Sequence, residues 1–450
     1  MNPFRWFPRL NSKWVDFKHR VNHWRQRQTR SFDRVVNVDR PRNVLVVVVD
    51  SLRADHVSGF GYDRETTPTL DAFADEARAF SNAKAPASWT FPSIASLHSG
   101  RYPHEHGGRM IEDPRNLSAE QFPTKPLVDV PMLPDLLEAA GYDTAMFTAI
   151  PMAEKAVGDR FQTISATYTD AQERVAATRD WISDRDRWFC HLQLGDPHAP
   201  LDVPDEHRET FDVPDLDDLE DWRFRETTDG AGFEAYRDGR VRAYDAAVRG
   251  VDDALAPLLE GLDDDTVVVV CGDHGEAFWE HVDLERTLND DPRGYYGTDH
   301  GHSVLEDVAR VPLWVRAPDL DVGRDDAPLS LTAVVPLLLD ALDASVGDGA
   351  IAPASLDAVR ADHVPLCEET AYGYNQRAVW LDDHKLVAVP ATGTRLAFDV
   401  ADGSEGEPVD DLPDDLVDAL EGYGDGVEGE AAIDVDDETR DRLEELGYLE

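Results

Sequence analysis

Thr90 lies two residues before Pro92 in the segment Ala87-Ser-Trp-Thr-Phe-Pro-Ser-Ile94, and a hydroxyl placed there can serve as a nucleophile. Pro92 fits the first turn of a helix, where its missing N–H leaves no bond unmade. Thr90 is then expected at or just before a helix N-terminus, where unpaired N–H groups and the positive end of the helix dipole favour a phosphate or sulfate. Alone, Thr90 reads more simply as a helix cap. A second segment changes that balance. Thr266-Val-Val-Val-Val-Cys-Gly-Asp-His-Gly-Glu276 is an apolar run, suited to a strand buried on both faces, that breaks at Gly272 and delivers Asp273 and His274. Asn43-Val-Leu-Val-Val-Val-Val-Asp50 has the same design. Open α/β sheets bind ligands outside the carboxyl ends of their strands, so the two runs point to one shared site. Asp50, Asp273 and His274 offer oxygen and imidazole donors to a divalent metal, and a metal would lower the pKa of the Thr90 hydroxyl. Asp196, His198, His300 and His302 have the ligand types for a second metal. His104 and His106 read as surface-loop histidines, while His56 and His281 carry no assignment.

Several strings, taken in order, resemble the sulfatase branch of the alkaline phosphatase superfamily. They are VVVVDSLRADH, then TTPTLDAFADEARAFSNAKAPASWTFPSIASLHSGRYPHEHG, then GDPHAP, then VVVVCGDHGEAFWEH and HGHSVLEDVARVPLWVRAP, extending from about residue 43 to residue 318. The resemblance implies an active-site metal held by Asp50, Asp273, His274 and the Thr90 side chain. It also implies that His198 and His302 approach the substrate as leaving-group acid or oxyanion partner. The departures bear on substrate. Where sulfatases carry the Cys or Ser that becomes formylglycine, and an Arg two residues after the motif proline, this chain has Thr90 and Ile94. Oxidised threonine would be a ketone, so formylglycine chemistry is not expected. A paired Asp-Asp is replaced by Asp50-Ser51, and a frequent lysine by Gly301. Threonine nucleophiles occur elsewhere in the superfamily, in phosphodiesterases, phosphonate hydrolases and headgroup phosphotransferases.

The expected activity is metal-dependent hydrolysis of phosphate, phosphonate or sulfate esters through Thr90, the metal being Ca, Mg, Mn or Zn. His198 or His302 would protonate the leaving oxygen, since imidazole titrates near neutrality. Arg53 and Arg101, with Arg109, are candidates to offset an anionic substrate. Two alternatives stay open: a headgroup phosphotransferase, and a catalytically silent protein that binds anionic glycans or a partner.

Asp and Glu number 91 against 43 Lys and Arg, a formal charge of −48 spread along the chain. Such a surface is soluble but self-repelling, a balance suited to high salt that resembles proteins of extreme halophiles. A disordered acidic chain is excluded, because 42% of residues are hydrophobic and fall into strand and helix periods. Residues 1–42 are the exception: a basic arm interleaved with Trp6, Trp14, Trp24 and Phe17, suited to an anionic membrane surface or to the acidic body of a subunit. Nucleic acid is a poor third choice, since nothing else in the chain is basic. No apolar stretch reaches the roughly 18–20 residues of a membrane span, and no signal-peptide core is evident. A soluble, cytoplasmic protein is expected, with peripheral membrane contact through the arm left open. Cys190, Cys271 and Cys367 lack metal spacing, and Cys190 and Cys271 read as core residues.

Alternating strand and helix patterns imply an α/β fold with a doubly wound, mostly parallel sheet over residues 43–355 and a small C-terminal α+β subdomain over 356–450. Helices are expected over 68–80, 92–97, 132–140 and 240–261, and strands over 142–149, 188–194 and 266–271. Residues 201–235 read as a loop or lid, 377–389 and 394–400 as two antiparallel strands, 402–436 as an acidic, partly disordered stretch and 437–448 as a helix.

Overall fold

The computed structural model describes residue 23 and residues 36–442, apart from 111–121, 168, 202, 348–350, 363, 411–412, 425, 434 and 436–438. Its centre is Val44–Val49, a run without one polar side chain and buried at every position. Val267–Gly272 pairs with it in parallel from Val44↔Val267 to Val49↔Gly272, and Trp188–Leu194 pairs in parallel on its other side. Asp143–Thr148 and Thr163–Ala166 continue the sheet beyond Trp188–Leu194. Beyond Val267–Gly272 come Arg310–Arg316, which runs antiparallel to both neighbours, then Arg78–Lys84 and the short Gly323–Asp325. With Leu329–Ser330 beside Arg78–Lys84, the sheet has nine strands among the described residues.

A strand apolar on both faces needs cover on both. Val44, Val46 and Val48 point into one layer with the helices Thr90–Ser99, Pro151–Val157 and Val334–Ala341. Leu45, Val47 and Val49 point into the other, against Ala171–Ser183 and Phe233–Leu259. This is the doubly wound arrangement, with helices on both faces. Four antiparallel strands, Leu366–Glu368, Arg377–Leu381, His384–Val389 and Thr394–Asp399, form a second sheet. It leans on the first near the site: the Glu368 N–H donates to the Pro86 carbonyl at 3.0 Å, and the Ala371 N–H to the Gly301 carbonyl at 2.6 Å.

Several expected elements differ. The helix over 68–80 stops at Phe73, with a single 3-10 turn to Glu76, and Arg78–Lys84 is a strand because Arg310–Arg316 pairs with it. The helix at Thr90 runs Thr90–Ser99, two residues longer at each end than the 92–97 reading. The segment 377–389 is a hairpin, not one strand: Leu381 pairs with His384 across Asp382-Asp383, and Asp382 takes the left-handed φ of 51° that aspartate tolerates in a turn. The supposed lid contains the helix Asp205–Thr210, and the long helix after it begins at Phe233 rather than Arg240. Within 402–436, Asp414–Glu421 is a helix that buries Leu416 and Leu420 on the second sheet. The terminal helix lies mostly outside the described residues, as does most of the N-terminal arm. The end of that arm is part of the fold, since Val36–Val38 pairs antiparallel with Ala344–Val346. All three cysteines are free and buried, and burial raises each thiol's pKa. Among the described residues no helix is long and apolar enough to cross a membrane.

Candidate active site and metal centre

Because Val49 stands opposite Gly272, the next residues, Asp50 and Asp273, leave neighbouring strands at one level and face each other beyond the sheet's carboxyl edge. His274 follows, and ligand atoms of Asp50, Asp273 and His274 lie within 4.8 Å of one another. All three are fully buried. Thr90 is the first residue of its helix, with Trp89 in the capping place. Its Oγ1 is 3.1 Å from His274 Nε2 and 3.4 Å from Asp50 Oδ2.

The protons in this cluster can be assigned from its partners. His274 Nδ1 is 2.9 Å from the Gly275 carbonyl, which only accepts, so the neutral ring carries its proton on Nδ1. Its Nε2 lone pair therefore faces Thr90 and the carboxylates, 3.8 Å from Asp50 Oδ1 and 3.7 Å from Asp273 Oδ2. Burial lowers the pKa of this ring and so favours that neutral form. Burial, with Asp273 beside it, pushes Asp50 up to about 6. Burial likewise pushes Asp273 up to about 7, against the backbone donors that hold its anion. Among the described residues no lysine or arginine pairs with either carboxylate. Two buried carboxylates beside an imidazole lone pair form a donor set that fits a divalent cation.

Around this centre the other expected residues divide. His198 is buried near Asp50, and its Nδ1 donates to the Ala199 carbonyl at 2.6 Å. His300 packs its ring 4.2 Å from that of His274 and 4.9 Å from that of His198, centroid to centroid. Its Nδ1 is 2.9 Å from Glu276 Oε2, and burial raises Glu276 while lowering His300, which favours a neutral hydrogen-bonded pair. His302 is fully buried with Nε2 3.1 Å from Glu285 Oε2; burial opposes its charge, but that carboxylate outweighs it and holds the ring up at about 9. The structure thus gives His302 to Glu285, and His300 is the histidine stacked on the centre. The second metal set is not assembled. Asp196 accepts from the Ala171 N–H at 3.1 Å, and the only cluster of metal-ligating type among the described residues is Asp50, Asp273 and His274.

Arg53 also differs from expectation. Its guanidinium is buried on Asp55 at 2.7 Å, Glu280 at 2.7 Å and the Glu276 carbonyl at 2.8 Å, so it braces the loop under the site. Arg101 follows the far end of the Thr90–Ser99 helix, roughly 15 Å along the axis from Thr90. Arg109 lies 3.8 Å from Glu369. His104 and His106 are buried, not on a surface loop, and bond to Glu368 and Ser96. His56 is held by Asp245, and His281 lies beside Ser404 and Glu405.

Two contributors were missed. Gln193 donates to Asp50 Oδ2 at 2.9 Å and Asp273 Oδ2 at 3.4 Å, and Ser51 binds the same pair through its N–H and hydroxyl. The available signal was His191 and Gln193 at alternate positions in a strand whose seven residues are all buried. Polar groups are not buried without partners.

Residues 42–344 match the family model described as Sulfatase. The chain belongs to the sulfatase family. The endo-4-O-sulfatase of Bacteroides thetaiotaomicron is 24% identical over 341 residues, 62% of this chain and 63% of that protein. This chain thus spans less than two thirds of that relative's length. A structure solved with its substrate D-glucosamine-2-N,6-O-disulfate superposes with a TM-score of 0.65 at 16% identity, over 91% of this chain and 99% of the other. The phosphonate monoester hydrolase of Agrobacterium radiobacter superposes with a TM-score of 0.59 at 16% identity, over 85% of this chain and 94% of the other. At these identities the likeness shows a shared α/β fold with a mostly parallel central sheet.

Proposed function

We propose that this sulfatase-family chain hydrolyses phosphate, phosphonate or sulfate esters, including esters borne on glycans, with Thr90 as the nucleophile. The observation that carries this reading is the Thr90 hydroxyl, 3.1 Å from His274 Nε2 and 3.4 Å from Asp50 at a helix N-terminus. Asp50, Asp273, His274 and Thr90 Oγ1 would hold a divalent cation. Bound there, it would lower the pKa of the Thr90 hydroxyl and offset charge on the ester oxygens. The chain's own groups do the rest. Thr90 attacks phosphorus or sulfur in line, and the helix N-terminus faces the anion. His198, rather than His302, borders the centre beside Asp50 and is the candidate to protonate the leaving oxygen, while His300 packs between it and His274. Water then cleaves the Thr90 ester and frees the acid. A side chain that cannot become an aldehyde favours direct attack and, with it, phosphorus esters over sulfate.

The test is turnover of nitrophenyl phosphate, bis-nitrophenyl phosphate, nitrophenyl phenylphosphonate and nitrophenyl sulfate in molar KCl, with Mn, Zn, Mg or Ca added singly. Wild type should turn over one of them in a cation-dependent way, and Thr90→Ala should lose at least about 10³-fold in kcat. A Thr90→Ala protein as active as wild type would refute the nucleophile. Turnover only when an acceptor alcohol is supplied would make the chain a transferase.

A further inference from the structure

His98, His191 and Gln193 form a fully buried line of polar side chains that ends on the two carboxylates. His98 comes from the helix that begins at Thr90, and His191 and Gln193 from the strand beside Val44–Val49. His98 Nε2 is 3.0 Å from His191 Nδ1, His191 Nε2 is 3.5 Å from Gln193 Oε1, and Gln193 Nε2 is 2.9 Å from Asp50 Oδ2 and 3.4 Å from Asp273 Oδ2.

The line has one self-consistent direction. A carboxylate accepts only, so the NH2 of Gln193, not its carbonyl, must face Asp50 and Asp273. Its carbonyl then faces His191 Nε2, which must carry the ring proton. A neutral His191 leaves Nδ1 as acceptor, and His98 Nε2–H supplies the donor. His98 Nδ1, buried with no partner among the described residues, is then the lone-pair nitrogen at the far end. Burial favours the neutral rings this requires: it lowers His98 well below its usual range, and it pulls His191 down to about 4. Phe161 and Phe189 edge the His98 ring at centroid distances of 5.6 and 6.0 Å.

From this geometry we infer that Gln193 is a positioning residue for the cation centre, its amide locked by His191 and His98 so that both N–H bonds hold Asp50 and Asp273 in place. The inference rests on the cation-binding part of the proposed function. Groups of this kind, which orient a ligand without touching the metal, commonly change affinity by about 10- to 100-fold. Holding Asp50 Oδ2 and Asp273 Oδ2 with one amide fixes their separation, and the line ties that spacing to the helix carrying Thr90.

The experiment is direct Mn2+ binding, read by the loss of the free-ion EPR signal, on wild type, Gln193→Met, His191→Leu and the double variant. Circular dichroism and the cation-free Tm check that each folds. Gln193→Met keeps the side-chain length and removes the donors; its Kd should rise about tenfold or more. His191→Leu alone should raise Kd by a smaller factor, and in the Gln193→Met background it should add nothing, because it acts through the amide. Equal Kd values for wild type and Gln193→Met, or additive effects in the double variant, would overturn the inference and leave the cation site standing. Wild type that binds no Mn2+ would overturn the cation site and this inference with it. A His98→Leu variant is the second handle if His191→Leu does not fold, with the same non-additivity expected.

Discussion

Two clusters of buried charge lie at either end of the short segment from Lys84 to Thr90, and they differ in how their charge is answered. In the first, Lys84 Nζ sits 2.6 Å from Glu306 Oε2, Lys385 Nζ sits 3.2 Å from Glu306 Oε1 and also bonds Glu405, and the Trp380 N–H donates to Glu306 Oε1 at 2.6 Å. Two cations face two anions, with both ammonium groups over the Trp380 ring. In the second, Asp50 and Asp273 have only hydroxyls, amides and a neutral imidazole as partners among the described residues. The carboxyl pKa values follow the difference. Burial alone would raise Glu306, but the two lysines hold it down to about 2; burial raises Asp50 to about 6 and Asp273 to about 7. A balanced buried cluster is a joint between the two sheets. An unbalanced one is poised for a cation.

The contrast breaks most severely at Glu306. Glu306→Gln leaves Lys84 and Lys385 short of an anion and should destabilise the fold by about 3–5 kcal/mol in urea unfolding, with no recovery on adding a divalent cation. Next is the pair His302–Glu285, balanced like the first cluster. His302 titrates at about 9 in the folded chain against 6.5 unperturbed, so its contribution is fully present below pH 6.5 and is lost as pH rises through 9. His302→Gln should flatten the alkaline limb of the Tm profile, removing a pH-dependent contribution of about 3 kcal/mol.

The Asp50–Asp273 pair should lose stability in the same direction of pH but over a lower window and for the opposite reason, because here the fold favours the uncharged form. Both pKa values exceed the 3.8 of a free aspartate, so the folded chain binds more protons between about pH 4 and 7. Cation-free stability should therefore fall as pH rises through that window. A divalent cation competes with those protons, so the Tm increment it causes should grow from pH 5 to pH 8. The smallest effect is expected for Asp273→Asn. Removing one unanswered charge should leave cation-free stability at pH 8 unchanged or raise it by about 1 kcal/mol, while abolishing the cation increment. A large loss of stability there would erase the distinction between the two clusters.

Much of the centre was legible because each contributor sits beside a break in an apolar run. Asp50 follows six aliphatic residues and Asp273 follows Gly272, so strand ends and their polar neighbours could be read together. Arg78–Lys84 was not legible, because Phe80 and Ala83 continue the apolar spacing of the preceding helix and only pairing with Arg310–Arg316 makes the segment a strand. Arg53 was misread for a related reason. Its charge is visible in sequence, but Glu280 and the Glu276 carbonyl, which bind it, reach it only through the fold.

The sequence by itself determined the doubly wound sheet and that Asp50, Asp273 and His274 meet beyond its carboxyl edge with Thr90 beside them, because buried strands must be continuously apolar and polar groups can appear only where they stop. It determined the residue types of the histidines but not their partners. Only the tertiary structure decided that His300 stacks on His274 while His302 pairs with Glu285, that Asp196 accepts from the Ala171 N–H, and that Gln193 donates to two carboxylates from separate strands. The physical reason is that a side chain's charge and hydrogen-bonding capacity are local, whereas what answers them comes from whichever strand or loop packs against it.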